Sequence, residues 1–371
     1  MSYDLAVVGA GICGLAHALA AARRGKRVVV IDRDAQANGA SVRNFGFITV
    51  TGQQAGDCWR RAMRSRDVWA EVAPLAGIDI VQRGLLVAAR RPEALDVLAA
   101  FAATPMGAAC RVLRGDEIGA YGAGLRAGLA GALYSPHEIR VESREAIPRL
   151  AAWLAQVHGV TFMRETSVRA VAPPRLETSR GVVEAEAVVV CPGDDFVTLL
   201  PERLGGLTRC KLHMLRLKPS AFDERLPTIM SDLGLVRYLG YAELPEAAAL
   251  KRRLQAEQGA QLEHGVHLIV ARSADGSLVV GDSHHYGATP DPFAPSFVDE
   301  LILEEYAAVF EGSIPRVDAR WTGTYASAPD RLMQRERISD ALYVVLITSG
   351  TGASTSFAIA EETIAELYGA P

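Results

Sequence analysis

Two periods organise the apolar positions of this chain: short unbroken runs that suit buried strands, and 3.6-spaced stripes that suit helices. Residues 5–8 form a strand, 15–24 a helix and 28–31 a second strand. The segment 33–50 that follows is rich in glycine and polar residues and has little periodicity, the mark of a long ordered loop. Helical spacing returns at 59–76, 92–101 and 144–156, and strands are predicted at 84–89, 132–136, 138–141, 159–163, 167–171 and 182–191. The last of these is apolar and runs into Pro192 and Gly193, as a central parallel strand opening on a ligand crevice does. From 210 to 218 the chain alternates, with Lys211, His213, Arg216 and Lys218 interleaved with Leu212, Leu215 and Leu217. Further strands are expected at 235–239, 266–271 and 277–282, around a charged helix at 243–258. These β-rich segments predict a second region of antiparallel character. The chain closes on a buried strand at 341–347, a small-residue loop at 348–355 and a helix at 357–368. Nucleotide-type units therefore stand at the beginning, middle and end, which predicts two interleaved, discontinuous domains.

Chemistry enters at the first loop. Gly9, Gly11 and Gly14 fill a G-x-G-x-x-G pattern after one strand and at the start of one helix, and Asp32 ends the next strand. In that context the motif binds a dinucleotide: Gly9 for the turn, Gly11 for approach of a pyrophosphate, Gly14 for helix–strand contact. The helix start offers free N–H groups and a positive dipole end to phosphate. Asp32 is placed for a ribose diol, and its charge disfavours a 2′-phosphate.

Composition adds exclusions. A net charge of -4 gives no electrostatic reason to expect nucleic acid or an anionic membrane as partner. Asp4 stands where a secretory signal would carry positive charge, so neither a targeting segment nor a membrane span is expected. Cys13, Cys58, Cys110, Cys191 and Cys210 lack C-x-x-C spacing, which argues against a structural zinc site or a disulfide framework and favours a reducing cytoplasm. No metal is expected, and the oligomeric state is left open.

With these segments in place, the chain resembles the D-amino-acid oxidase and sarcosine oxidase family of FAD-dependent enzymes over nearly its whole length. The resemblance rests on the Gly9–Gly14 motif with Asp32, the loop from Ala40 through Ser41, Arg43, Asn44, Phe45 and Gly46, a Thr-x-Val strand ending at Val168, the run into Gly193, and the loop Ser349-Gly-Thr-Gly352. It implies an α/β fold: a Rossmann-like FAD-binding domain of the glutathione-reductase type (1–82, 140–208, 318–371), interleaved with an antiparallel-sheet α+β substrate domain (83–139, 209–317). It also implies FAD contacts from Gly9, Ala10, Gly11, Ile12, Gly14, Asp32 and Arg33, and from Ser41, Arg43, Asn44, Phe45 and Gly46. Val168, Pro192 and Gly193 would serve the adenine side, and Gly350, Thr351, Gly352, Ala353, Ser354 and Thr355 the isoalloxazine. Sarcosine oxidases tether flavin through a cysteine in the strand before a Pro-Asp pair. Here the stretch from Trp321 to Tyr325 has none, so noncovalent FAD is expected. Those enzymes also carry a lysine in the last glycine loop, where Ser354 stands.

Within the family, the 40–46 loop and Gly281-Asp-Ser-His-His-Tyr-Gly287 look most like a bacterial branch associated with phosphonate catabolism. That implies 2-aminoethylphosphonate or its N-methyl derivative as the small anionic amine, with oxygen or another electron acceptor as second partner. D-amino acids or N-methyl amino acids are the alternative substrates, and a flavin-binding electron-transfer subunit is the alternative of another class. An aromatic-ring hydroxylase is a weaker match, because its Gly-Asp signature leads directly into the flavin loop. A phosphonate wants converging cationic donors, and Arg237, Arg272, His213 and His284 are the candidates. His213, His284, Arg237 and Tyr238 are the expected catalytic set. His213 faces either pocket or solvent, and Arg237 either pocket or surface. One of His284 and His285 is expected toward the flavin, and Arg43 serves either substrate or cofactor.

Overall fold

The computed structural model describes residues 2–369; residues 1, 370 and 371 of the expected nucleotide-binding spans lie outside the described residues. Its first sheet has eight strands, six of them in the order Met333–Ser339, Leu342–Ile347, Gly181–Val190, Ser2–Val8, Val28–Ile31, Thr161–Met163. All neighbours along that path are parallel except Met333–Ser339. The strands Val168–Ala172 and Arg175–Thr178 hang from Gly181–Val190 as an antiparallel extension. Parallel strands need crossovers, and these put apolar cover on both faces. Along Ser2–Val8, Leu5 and Val7 pack with the helices Ile12–Ala22, Asp57–Leu75, Ser143–His158 and Gly352–Tyr368, whereas Ala6 joins Val29, Ile31, Val188, Val190 and Val344 on the other face. Trp69 and Phe357 meet edge-to-face, 5.2 Å between centroids, where two of these helices cross.

The second sheet has ten strands and is mainly antiparallel. Its long element Thr208–Lys218 pairs with Leu278–Gly281, His285–Gly287 and Arg316–Ser327. The one parallel pair on its main path joins Thr228–Ser231 to Ile80–Ala89. Helices Pro92–Ala102, Ala247–Glu257 and Ser296–Val309 bury Leu98, Phe101, Leu250, Leu254, Ile302 and Tyr306 against it.

The pairing departs from expectation in three places. Phe47–Ile48 and most of Arg316–Ser327 (from residue 318 on), expected within nucleotide-binding spans, pair in the second sheet. The apolar run 235–239 is not a strand: Asp232–Val236 is a 3-10 turn and Leu239–Ala242 a short helix, with Arg237 and Tyr238 at their junction. Leu235 and Tyr241 are buried whichever way the backbone runs, so a short apolar stretch cannot report its own conformation. A Cβ at Gly240 would overlap the Gln53 carbonyl, which brings that junction against the loop at 50–54. Finally, the helix Ser296–Val309 and the strand Met333–Ser339 were not anticipated from the pattern.

Candidate active site

A cavity of about 680 Å³ runs from the first glycine loop, past the last one, to the second sheet. At its first end Gly9 has φ +103°, and a Cβ there would meet the Cys191 carbonyl; one at Gly14 would overlap the Gly9 carbonyl. Gly11 is constrained differently from the expectation, since its Cβ would lie 2.9 Å from Ser41 Oγ. That hydroxyl accepts the Ile12 N–H at 2.9 Å, occupying one of the free donors at the helix start. Asp32 also has a structural duty: Oδ2 accepts the Ala10 N–H at 2.6 Å and Oδ1 the Asp34 N–H at 2.8 Å. Both oxygens keep a lone pair, and the side chain lines the cavity.

Gly9, Gly11, Ile12, Gly14, Asp32, Arg33, Ser41, Arg43, Asn44 and Phe45 line this end and middle, with Val168, Pro192 and Gly193. Ala10, Gly46 and Thr355 do not. Ala10 is buried in the helix-side core and reaches the site only through the N–H that orients Asp32. Gly46 is turned against Val141, whose N–H its carbonyl accepts at 2.9 Å. Thr355 spends its hydroxyl on the Thr351 carbonyl within its own helix. Arg43 lines the cavity, but its guanidinium donates to the Asn38 and Thr322 carbonyls, a bracing role. Arg33 donates to Asp195 at 2.9 Å.

At the last glycine loop, Gly350, Thr351, Gly352, Ala353 and Ser354 all line the cavity, beside the N-terminus of Gly352–Tyr368. Gly350 has φ +73°, and a Cβ there would come within 3.1 Å of the Tyr325 ring. Ser354 is buried, and its hydroxyl accepts the Thr49 N–H at 2.9 Å, so it braces two segments and does not stand in for a cation.

The far wall comes from the second sheet, where period-2 alternation sorts the candidates. Leu212 lines the cavity and His213 does not. His213 lies buried on the other face, with Nδ1 3.2 Å from Asp299 Oδ1, while Asp299 Oδ2 accepts from Arg320 Nε at 2.9 Å. In the same way His284 and Tyr286 line the cavity, and His285 packs between His213 and His264, 5.5 Å from each ring centre. Arg272 is elsewhere, donating to the Val81 carbonyl. Of the four groups expected to gather around a phosphonate, only Arg237 and His284 meet.

Arg237 and Tyr238 reach the cavity from the turn junction, and Arg237 donates to Tyr286 Oη at 2.9 Å. Beside them stand Asp282, His267 and Tyr325, none of them among the expected site residues. The sequence held a signal for two of these. Asp282 sits inside the Gly281–Gly287 motif, and His267 precedes Ile269 on the cavity face by one strand period. Backbone pairing fixes the group, because Asp282 and His267 exchange N–H···O bonds of 2.9 and 3.1 Å, and His284 N donates to His264 O at 2.9 Å. Burial pushes the Asp282 carboxyl up to about 7, although Arg237 opposes this. Burial, with Arg237 second, holds His267 and His284 well below the ordinary imidazole range.

The residues fit a bound FAD: glycines with no room for a Cβ at the first loop, a left-handed Gly350 packed close to Tyr325 at the last, an acidic side chain at one end, and two helix N-termini along one continuous channel. A family model described as FAD dependent oxidoreductase, DAO, matches residues 4–366.

The chain belongs to the DAO family of FAD-dependent oxidoreductases.

Solved structures agree on the fold. A glycine oxidase from Bacillus cereus superposes with a TM-score of 0.77 at 18% identity, covering 99% of this chain and 95% of that one. For an L-proline dehydrogenase from P. horikoshii the values are 0.78, 18%, 99% and 93%. For an FAD-bound L-alpha-glycerophosphate oxidase from Mycoplasma pneumoniae they are 0.76, 13%, 99% and 95%. No curated protein matched the sequence. Among the described residues no helix is long and apolar enough to cross a membrane.

Proposed function

We propose that this DAO-family chain is an amine oxidoreductase acting on the C–N carbon of a small anionic amine, with 2-aminoethylphosphonate or its N-methyl derivative as the first choice. The observation that carries the reading is a wall with two characters. Arg237, steered by Tyr286, offers cationic N–H donors, while Asp282, His267 and His284 offer acceptors on the same surface of the cavity. A molecule with an anionic head and an ammonium matches both halves, and an amine without an anionic head matches only the acceptor half. Arginine suits a phosphonate through its planar fork, and Tyr325 supplies a further hydroxyl nearby.

FAD, when bound, supplies the acceptor for the two electrons that leave with the substrate's C–H hydrogen. The chain's own task is to hold the anion, present the C–N carbon to the cofactor, and keep the amine deprotonated. The imine then hydrolyses in water. Glycine oxidase and L-proline dehydrogenase among the neighbours are named for amino acids and the glycerophosphate oxidase for an alcohol, so the acceptor cluster supports the amine choice here. We further propose that FAD is held noncovalently by the interleaved parts at 1–82, 140–208 and 318–371, since Cys13 and Cys191 line the cavity only at the first glycine loop.

The test is anaerobic reduction of the bound flavin by 2-aminoethylphosphonate, its N-methyl form, sarcosine, glycine and D-alanine. Bleaching by the aminophosphonates is expected. Bleaching by the carboxylates alone overturns the substrate choice, and bleaching by none favours an electron-transfer subunit. Acid precipitation should leave the yellow colour in the supernatant; colour in the pellet would contradict noncovalent binding.

A further inference from the structure

His284 sets a problem in hydrogen-bond accounting. Its Nδ1 lies 2.8 Å from the Gly265 carbonyl, which can only accept, so Nδ1 carries the proton and Nε2 is a lone pair. That lone pair faces the Asp282 carboxylate, with 3.7 Å from Nε2 to Oδ2. Two acceptors are thus pointed at one another inside a buried site. The second carboxylate oxygen, Oδ1, is buried without a hydrogen-bond partner, and so are both ring nitrogens of His267, 3.2 Å away at the nearest. Residues 267, 282 and 284 are all more than nine-tenths buried, yet all three line the cavity. Such a cluster is costly to leave unpaired, and it asks for either a proton or a donor ligand.

A metal ion is the first donor to weigh, because the ligand atoms lie within 4.8 Å of one another. The ring geometry speaks against it. His267 and His284 are stacked, 5.1 Å between centroids and 27° between planes. Ligation uses the in-plane lone pair of each imidazole, and in near-parallel stacked rings these run side by side and do not converge on one point. A shared proton and an N–H donor from a ligand need no such convergence.

We propose that Asp282 and His284 form a shared-proton pair that receives the amino group of the substrate and takes one N–H proton from its ammonium. The inference rests on the amine reading given above. In the ionised pair, Asp282 is a carboxylate and His284 a neutral imidazole. The ammonium R–NH3+ gives one proton to the pair and becomes R–NH2, while the pair becomes neutral, its proton on Asp282 drawing Oδ2 in from 3.7 Å to the Nε2 lone pair. No electrons move in this step. It frees the nitrogen lone pair that must develop into the imine as the C–H hydrogen leaves. His267 completes the acceptor wall, and Arg237 anchors the anionic end. The charged and titratable groups facing the pair are Arg237 and Tyr238 from the turn junction, His267 from the adjoining strand end, His285 and Tyr286 from its own segment, Cys210 from the strand Thr208–Lys218 and Tyr325 from Arg316–Ser327.

The experiment is stopped-flow anaerobic reduction of the holoenzyme by 2-aminoethylphosphonate and by glycine between pH 6 and 10, for wild type, Asp282→Asn and His284→Gln. Wild type should lose rate on the acid side along a single ionisation. Asp282→Asn should be slower by about 100-fold at pH 7, lack that ionisation, and recover about tenfold per pH unit toward pH 10 as the substrate's own free amine increases. His284→Gln should show the same shape. A variant whose rate falls by a constant factor at all pH values, with the wild-type ionisation intact, overturns the pair while leaving the amine reading standing. If neither amine nor the wider panel reduces the wild-type flavin, the amine reading itself fails.

Nitrogen-15 NMR of histidine-labelled holoenzyme gives a readout independent of turnover and of variant folding. A His284 ring protonated at Nδ1, whose Nε2 resonance moves with the ionisation seen in the rate, supports the pair; Nε2 carrying a fixed proton across the range overturns it. A stoichiometric divalent metal in the purified holoenzyme that His284→Gln releases would also overturn it.

Discussion

Arg237 and Asp282 illustrate how one charged residue sets the behaviour of another. Removing Arg237 as Arg237→Met should cost the anionic head its charge-assisted bonds, about 2–3 kcal/mol, and raise KM about 30- to 150-fold. The same substitution removes the positive charge that holds Asp282 down, so the acid limb of the rate profile should move to higher pH. An Arg237→Met enzyme with an unmoved limb would show that the two groups do not communicate. Asp282 also makes a claim on stability. Burial raises its carboxyl from 3.8 to about 7, so between those values the folded chain binds more protons than the unfolded chain, and stability falls as pH rises. A shift of that size is on the order of a few kcal/mol. Asp282→Asn carries no such charge, so its melting temperature should exceed that of wild type at pH 8 and match it near pH 4, measured by calorimetry without substrate. Equal melting temperatures at pH 8 would rule out a strained carboxylate.

At the scale of elements, the first glycine loop was legible because each of its features is local. A strand, three glycines, a helix and a terminal acid lie within Leu5 to Asp32, and each has a backbone reason to be where it is. The far wall was only half legible. His284 and Asp282 share one short motif, but His267 comes from another strand, and only pairing between residues 267 and 282 brings them together. That His213 points away from the cavity is not legible for a related reason: alternation along 210–218 shows that two faces differ, not which of them meets the cavity. Ser41 adds a contact that crosses elements. Its hydroxyl holds the Ile12 N–H and also stands 2.9 Å from where a Gly11 Cβ would be. Ser41→Ala should therefore cost about 1 kcal/mol in a denaturant titration, as loss of a helix cap does. Gly11→Ala should weaken FAD retention, and Gly11→Ala with Ser41→Gly should restore part of it. A double variant no better than Gly11→Ala would mean that the pyrophosphate itself, and not Ser41, excludes the side chain.

At the scale of the whole molecule, the cavity is a joint product of two sheets that each have their own core. Asp32, Val168 and Gly193 belong to the first sheet and its loops, whereas Leu212, Ile269, Asp282 and Tyr325 belong to the second. The glycine at 350 meets Tyr325, and Ser354 accepts from Thr49, so the two parts already touch at the last glycine loop. A cofactor that contacts both binds the folded chain alone and adds RT ln(1 + [L]/Kd), about 2.7 kcal/mol at a hundredfold excess over Kd. Because that free energy depends on both sheets being in place, opening either one releases it. Hydrogen exchange should therefore slow on FAD addition in peptides covering 28–34 and 345–354, and equally in peptides covering 267–271 and 321–327. Protection confined to the first pair would mean that FAD rests on the first sheet alone. The wall holding Arg237 and Asp282 would then stand apart from the cofactor, too far for the substrate carbon it binds to meet the electron acceptor.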